Sequence, residues 1–217
     1  KMKKLALVHT SATLIPVFQE LCSELLPDVQ VFNIVDDCLV KNIIAAGSLT
    51  PTIAKQVVSY VQSAQLGGAD QVLVTCSSIG AAVETAATLS DIPVLRVDQP
   101  MADKAVAMGT KIGVIATLPS TLLPTSDLVE RRAKLAGKNI ELKAVLCEGA
   151  FDALMAGNAA KHDEMVAAAL KELSTQVDVI LLAQASMARV VGTLAEADKI
   201  VPILASPRIA IEHLASL

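Results

Sequence analysis

The sequence predicts an α/β protein of two similar Rossmann-like halves, each a four-stranded parallel sheet flanked by helices. Three observations carry this expectation. Short Val/Ile/Leu runs recur about every 20 to 40 residues, as strands in such a chain do. Ala-rich segments of helical period lie between them, the alternation that lays helices over a parallel sheet. The chain also repeats itself: Lys4 to Thr10 reads like Lys111 to Thr117, and the repeat runs through the 217 residues at nearly constant offset.

Taken in order, residues 4–10 read as the first strand. Leu14, Phe18, Leu21, Cys22 and Leu25 recur at helical spacing, so a helix follows, and Pro27 ends it. A second strand is expected over 29–35. Thr50-Pro51 reads as a cap followed by a first-turn proline, which starts a helix running to about Gln65 and stopping at Gly67-Gly68. Strands are expected over 71–75 and 94–97, with a helix beginning near Ile79-Gly80 between them. The second half repeats the pattern with strands over 111–116, 140–146, 178–183 and 201–204, and a helix reaching about Ala136. Most of these runs are apolar throughout rather than alternating, which predicts strands buried on both faces.

The repeat sets the domain boundaries. Lys4 falls on Lys111, Ala69-Asp70-Gln71 on Val177-Asp178-Val179, and Ile92-Pro93-Val94 on Val201-Pro202-Ile203, offsets of 107, 108 and 109 residues. One α/β domain is expected over 1–98 and a second over 99–206, related by a pseudo-twofold duplication. The last helix, 207–217, is expected to pack back onto the first domain.

Composition excludes several classes of partner. Hydrophobic residues make up 53% and aromatic residues 2%, so the core must be aliphatic. The net charge of -4 comes with no basic run and no interleaved aromatics, which argues against nucleic acid. The longest uncharged stretches, 5–19 and 112–126, fall short of the roughly 18 apolar residues of a membrane span. Residues 1–4 lead directly into a strand, without an apolar signal segment, so a cytoplasmic location is expected. Cys22, Cys38, Cys76 and Cys147 show neither metal spacing nor a disulfide framework; reduced thiols and no metal are expected.

Ligands of open parallel sheets sit beyond the carboxyl ends of the strands. That rule points to His9-Thr10-Ser11, Cys76-Ser77-Ser78, Thr117 and Gln184-Ala185-Ser186. Cys76 ends a strand and precedes a helix, where the positive end of the helix dipole favours a thiolate and the adjacent N–H groups suit a carboxylate. The same position also suits a small core residue, with Ser77 or Ser78 as an ordinary cap. Thr117, Ser120 and Thr121 read equally as carboxylate donors or as caps, and Ser186 repeats the position of Ser78. Arg208 suits a substrate carboxylate by the shape of its guanidinium fork, but an ion pair across the two halves is the expectation favoured over it, and Asp98 is expected to serve the crossover between them. Cys38 and Cys147 are 109 residues apart and should occupy equivalent strand ends, while His162 reads as part of a surface helix start.

Cys76-Ser77-Ser78, the segment Ile112-Gly113-Val114-Ile115-Ala116-Thr117 and the duplication together resemble the aspartate/glutamate racemase superfamily over nearly the whole chain. This superfamily includes glutamate, aspartate and hydantoin racemases, maleate isomerase and arylmalonate decarboxylase. The resemblance implies a cofactor-independent enzyme acting on a small carboxylic acid, with a thiolate removing the proton next to the carboxylate and a facing thiol returning one. Family members often form dimers, so a homodimer is consistent with it. It also implies substrate-binding roles for Thr10, Ser11, Ser77, Ser78, Thr117, Ser120, Thr121, Ala185 and Ser186. The sequence departs from the pattern at one point: Gln184 stands where the second cysteine belongs. Three readings follow. His9 supplies the second acid/base; or a single thiol protonates one face, as in a decarboxylase or lyase; or Cys76 adds to an unsaturated acid as a nucleophile while Gln184 orients the substrate. A non-catalytic sensor of small acids is the reading from another class.

Overall fold

The computed structural model describes all residues, Lys1–Leu217. β1 (Lys4–His9), β2 (Gln30–Val35), β3 (Gln71–Val74) and β4 (Val94–Arg96) form one sheet in the order β2-β1-β3-β4. β5 (Lys111–Ala116), β6 (Glu141–Leu146), β7 (Val179–Leu182) and β8 (Ile203–Ala205) form a second in the order β6-β5-β7-β8. All pairings are parallel, and the registers repeat: Val8 lies beside Val74 as Ile115 lies beside Leu182. The chain divides into two compact units, Lys1–Gln99 with Pro207–Leu217, and Pro100–Ser206.

Ten helices connect and cover these strands: α1 (Ile15–Leu25), α2 (Cys38–Ala46), α3 (Pro51–Leu66), α4 (Gly80–Thr88), α5 (Gln99–Met108), α6 (Pro119–Leu135), α7 (Ala150–Met155), α8 (Ala159–Ser174), α9 (Ala188–Val191) and α10 (Ser206–Ala215). Caps define where they start. The Thr50 hydroxyl accepts from the Ile53 N–H at 3.3 Å, and Asn158 Oδ1 accepts from the Lys161 N–H at 3.1 Å, each satisfying a donor that the first helical turn leaves free. No helix is long and apolar enough to cross a membrane.

Strand periodicity decides the layers of the first unit. Successive side chains of a strand point to opposite faces. On β1, Ala6 and Val8 join Val72 and Val74 beneath α2, α3 and α4, where Leu39, Ile43, Val57, Val61 and Val83 are buried. Leu5 and Leu7 point the other way, with Leu73 and Leu95, against Phe18, Leu21 and Cys22 of α1 and Ala210, Ile211 and Leu214 of α10. In the second unit Ile115, Ile180 and Leu182 pack on Val166, Leu170 and Leu173 of α8. Each such fully buried Leu or Ile contributes about 1.5 to 3 kcal/mol of hydrophobic stabilisation.

Three expectations change. β2 and β6 are edge strands, and their residues are partly buried or exposed instead of being buried on both faces. On β2, Phe32 and Ile34 pack against one face and Val31 against the other. Arg208 pairs with Glu24 through both nitrogens of its fork, at 3.1 and 2.7 Å, which ties α10 to α1 inside the first unit rather than across the halves. His162 is fully buried, not on the surface. It sits in the apolar stripe of α8 at the position that Ile53 holds on α3, and its Nδ1 bonds Asp163 Oδ1 at 2.8 Å.

Candidate active site

In each sheet the strand order reverses beside the first strand, and it is beyond the carboxyl ends at such a switch point that open parallel sheets bind their ligands. In the first unit this switch point lies between β1 and β3. Thr10 follows β1 and Cys76 lies two residues beyond β3, so the register that pairs Val8 with Val74 brings Thr10 and Cys76 to the same level. Cys76 is partly exposed, in extended backbone, and caps a single 3-10 turn, Ser77–Ile79, that leads into α4. Ser77 and Ser78, the first two residues of that turn, are buried, and Thr10 is 3% exposed. Ser11 caps the turn after β1, its hydroxyl accepting from the Thr13 N–H.

His9 is wholly buried and both of its ring nitrogens are engaged. Nδ1 lies 2.7 Å from Thr75 Oγ1 and Nε2 2.8 Å from Asn33 Oδ1. Burial holds the imidazole below its ordinary range, with the Asn33 contact opposing. A general acid/base needs a nitrogen within reach of the proton it moves. His9 presents none here: both nitrogens are taken up, one by Asn33 and one by Thr75, the residue before Cys76.

A buried ion pair lies beneath the same turn. The Arg96 guanidinium bonds Asp98 through Nε and Nη2, at 2.7 and 2.8 Å, with Glu84 of α4 3.4 Å from Nη1. Arg96 and Asp98 are 2% and 1% exposed. A Cβ on Gly80, the first residue of α4, would stand 2.3 Å from this guanidinium, which is why the start of α4 takes a glycine here. Asp98 is therefore part of an internal brace. The sequence signal was the Arg-x-Asp spacing in and just beyond β4, two residues apart and so on one face.

In the second unit Gln184 and Thr117 occupy the positions of Cys76 and Thr10. Gln184 Oε1 accepts from the Thr117 N–H at 2.5 Å and from its hydroxyl at 3.0 Å. Thr117 is therefore engaged inside the chain instead of being open to a ligand. Thr121 donates its hydroxyl to the Leu118 carbonyl at 2.9 Å and acts as a helix-start residue, with Ser120 partly exposed beside it. Ala185 is partly exposed and Ser186 exposed, unlike the buried Ser78 that it repeats.

The other thiols divide by burial. Cys22 and Cys147 are buried and their thiols are pushed up to about 11. Cys38 is exposed as the first residue of α2, its Sγ within 4.8 Å of carboxylate oxygens of Asp36 and Asp37. Asp36 is already bonded there by the Tyr60 hydroxyl and the Cys38 N–H.

Residues 7–214 match the sequence profile of the Asp/Glu/Hydantoin racemase family. The chain belongs to this family. No curated protein matches the chain by sequence. Among solved structures, it is similar to a glutamate racemase from Bacillus anthracis (TM-score 0.73, 18% identity, 99% of this chain and 80% of that one). It is also similar to an aspartate racemase from Picrophilus torridus (TM-score 0.74, 12% identity, 99% and 94%). A third likeness is to the allantoin racemase from Klebsiella pneumoniae (TM-score 0.66, 16% identity, 99% and 87%). At these identities the likeness establishes the racemase-family fold.

Proposed function

We propose that this racemase-family chain is a cofactor-independent enzyme that moves a proton at the carbon next to the carboxylate of a small acid, with Cys76 as the thiolate base. The observation that carries the reading is the position of Cys76: partly exposed, at the switch point of the first sheet, and level with Thr10. In this reading Cys76 Sγ takes the α-proton, and the electron pair left on carbon delocalises into the carboxylate as an enolate. Donors from Thr10, Ser11 and the Ser77-Ser78 turn hold those oxygens where the negative charge grows, which lowers the barrier without a cofactor. His9 and the Arg96–Asp98 pair keep the strand end and the turn in place. For the centre to invert, a proton then comes from water on the face away from Cys76, and the thiol gives its own proton back to water.

A second reading is favoured by one residue. Gln184 stands at the second cysteine position, and an amide neither gives nor takes a proton at carbon at useful rates. A single thiol suits a decarboxylase, in which loss of carbon dioxide leaves the electron pair on carbon and Cys76 protonates it from one side.

Incubation in heavy water with amino acids, hydroxy acids, hydantoins and malonates separates the readings. Deuterium at the α-carbon with loss of optical activity marks a racemase, and release of carbon dioxide with one-faced deuteration marks a decarboxylase. In either case Cys76→Ala should abolish turnover on the substrate found; full turnover in that variant would remove Cys76 from the chemistry.

A further inference from the structure

The two halves bring the same pair of strand ends side by side and finish them differently. In the second half the loop after β5 offers the Thr117 N–H and hydroxyl, and both converge on one oxygen, Gln184 Oε1. Two donors converging on one partly shielded oxygen are the elements of an oxyanion cradle. A carboxamide oxygen is the neutral analogue of a carboxylate oxygen, with the same planar geometry and lone pairs. In the first half the register places Cys76 opposite Thr10, and a cysteine is too short and too weak an acceptor to take the place of that carboxamide.

We propose that Gln184 fills the Thr117 cradle from within the chain, as a built-in occupant that keeps the carboxylate of a small acid off the two Thr117 donors. The closing side chain is attached two residues beyond β7, on the rigid end of a central strand, so it is held over Thr117 without a loop having to move. An entering carboxylate would have to break both bonds to displace it.

One titration tests this on the intact protein: sodium acetate is added to 15N-labelled protein and the Thr117 amide resonance is followed by NMR. The wild type should show no saturable shift. Gln184→Gly, which uncovers the cradle, should show one, and Gln184→Glu, which keeps an acceptor in place, should behave like the wild type. A saturable shift in the wild type, or none in a folded Gln184→Gly, overturns the filled cradle. If Gln184→Gly does not fold, Gln184→Ala and Gln184→Glu make the same comparison.

Discussion

Adding one methyl group at Gly80 probes whether the buried ion pair braces the turn that carries Cys76. The new Cβ would stand 2.3 Å from Arg96 Cζ and Nη2 and 2.7 Å from Nε. The guanidinium cannot swing aside, because both of its bonds to Asp98 fix its plane. Overpacking of this kind costs about 1 to 3 kcal/mol. Gly80 has ordinary helical angles, φ -55 and ψ -40, so alanine itself returns about 0.4 to 1 kcal/mol through reduced freedom of the unfolded chain. Gly80→Ala should therefore destabilise by about 1 to 2 kcal/mol. Arg96→Ala takes the guanidinium from a carboxylate that stays buried, a loss of about 3 to 5 kcal/mol. With Arg96 already gone the obstacle is gone too, and Gly80→Ala should then stabilise by about 0.4 to 1 kcal/mol. The predicted coupling is about 2 kcal/mol, read from urea unfolding of the four proteins by far-ultraviolet circular dichroism. The chain has one Tyr and no Trp, so fluorescence is a poor probe. Energies that add to within about 0.5 kcal/mol would refute the brace.

Three further outcomes are expected. Burial holds His9 below the ordinary imidazole range, so between its folded value and about 6.5 the unfolded chain binds the extra proton; stability is complete above that pH and falls as the solution is acidified. His9→Gln should flatten this part of the stability–pH curve, and an unchanged slope would show that His9 is not its source. Asp70 and Asp178 occupy equivalent places, each accepting from backbone N–H groups at the start of a central strand, Lys3 and Lys4 for one and Thr110 and Lys111 for the other. Those bonds hold both carboxyls below their usual range, so their contribution is present above about pH 4 and is lost as the pH falls through the depressed values. Asn variants should be weaker than the wild type at pH 7 and converge with it in acid; a difference that persists in strong acid contradicts this. Finally, a thiol reagent at pH 8 should modify Cys38 and Cys76 in the folded protein and reach Cys22 and Cys147 only after unfolding, because those two are buried and raised to about 11. Mass spectrometry of the modified peptides would expose any other order.

The sequence alone determined the order of strands and helices, the duplication and the strand ends at which the switch points lie. These follow from local physics: apolar runs, caps such as Thr50, and breakers such as Pro27 act over a few residues, and a repeat is visible without coordinates. It also picked out Cys76, Thr10 and Gln184, since a residue just past a strand is placed by the strand. Only the tertiary structure decided what those side chains meet. His9 was legible as a strand-end histidine, but its two partners, Asn33 and Thr75, come from two other strands, 24 and 66 residues away. Arg208 and Glu24 are 184 residues apart, and nothing local says that α10 lies on α1. The edge position of β2 and β6, the burial of His162 and the closure of Thr117 by Gln184 are likewise set by how strands order and pack. Neighbours brought together across long stretches of chain leave no local pattern, so the sequence could name Cys76 and Gln184 as strand-end residues while what each meets, partial exposure for one and the Thr117 donors for the other, was fixed by the fold.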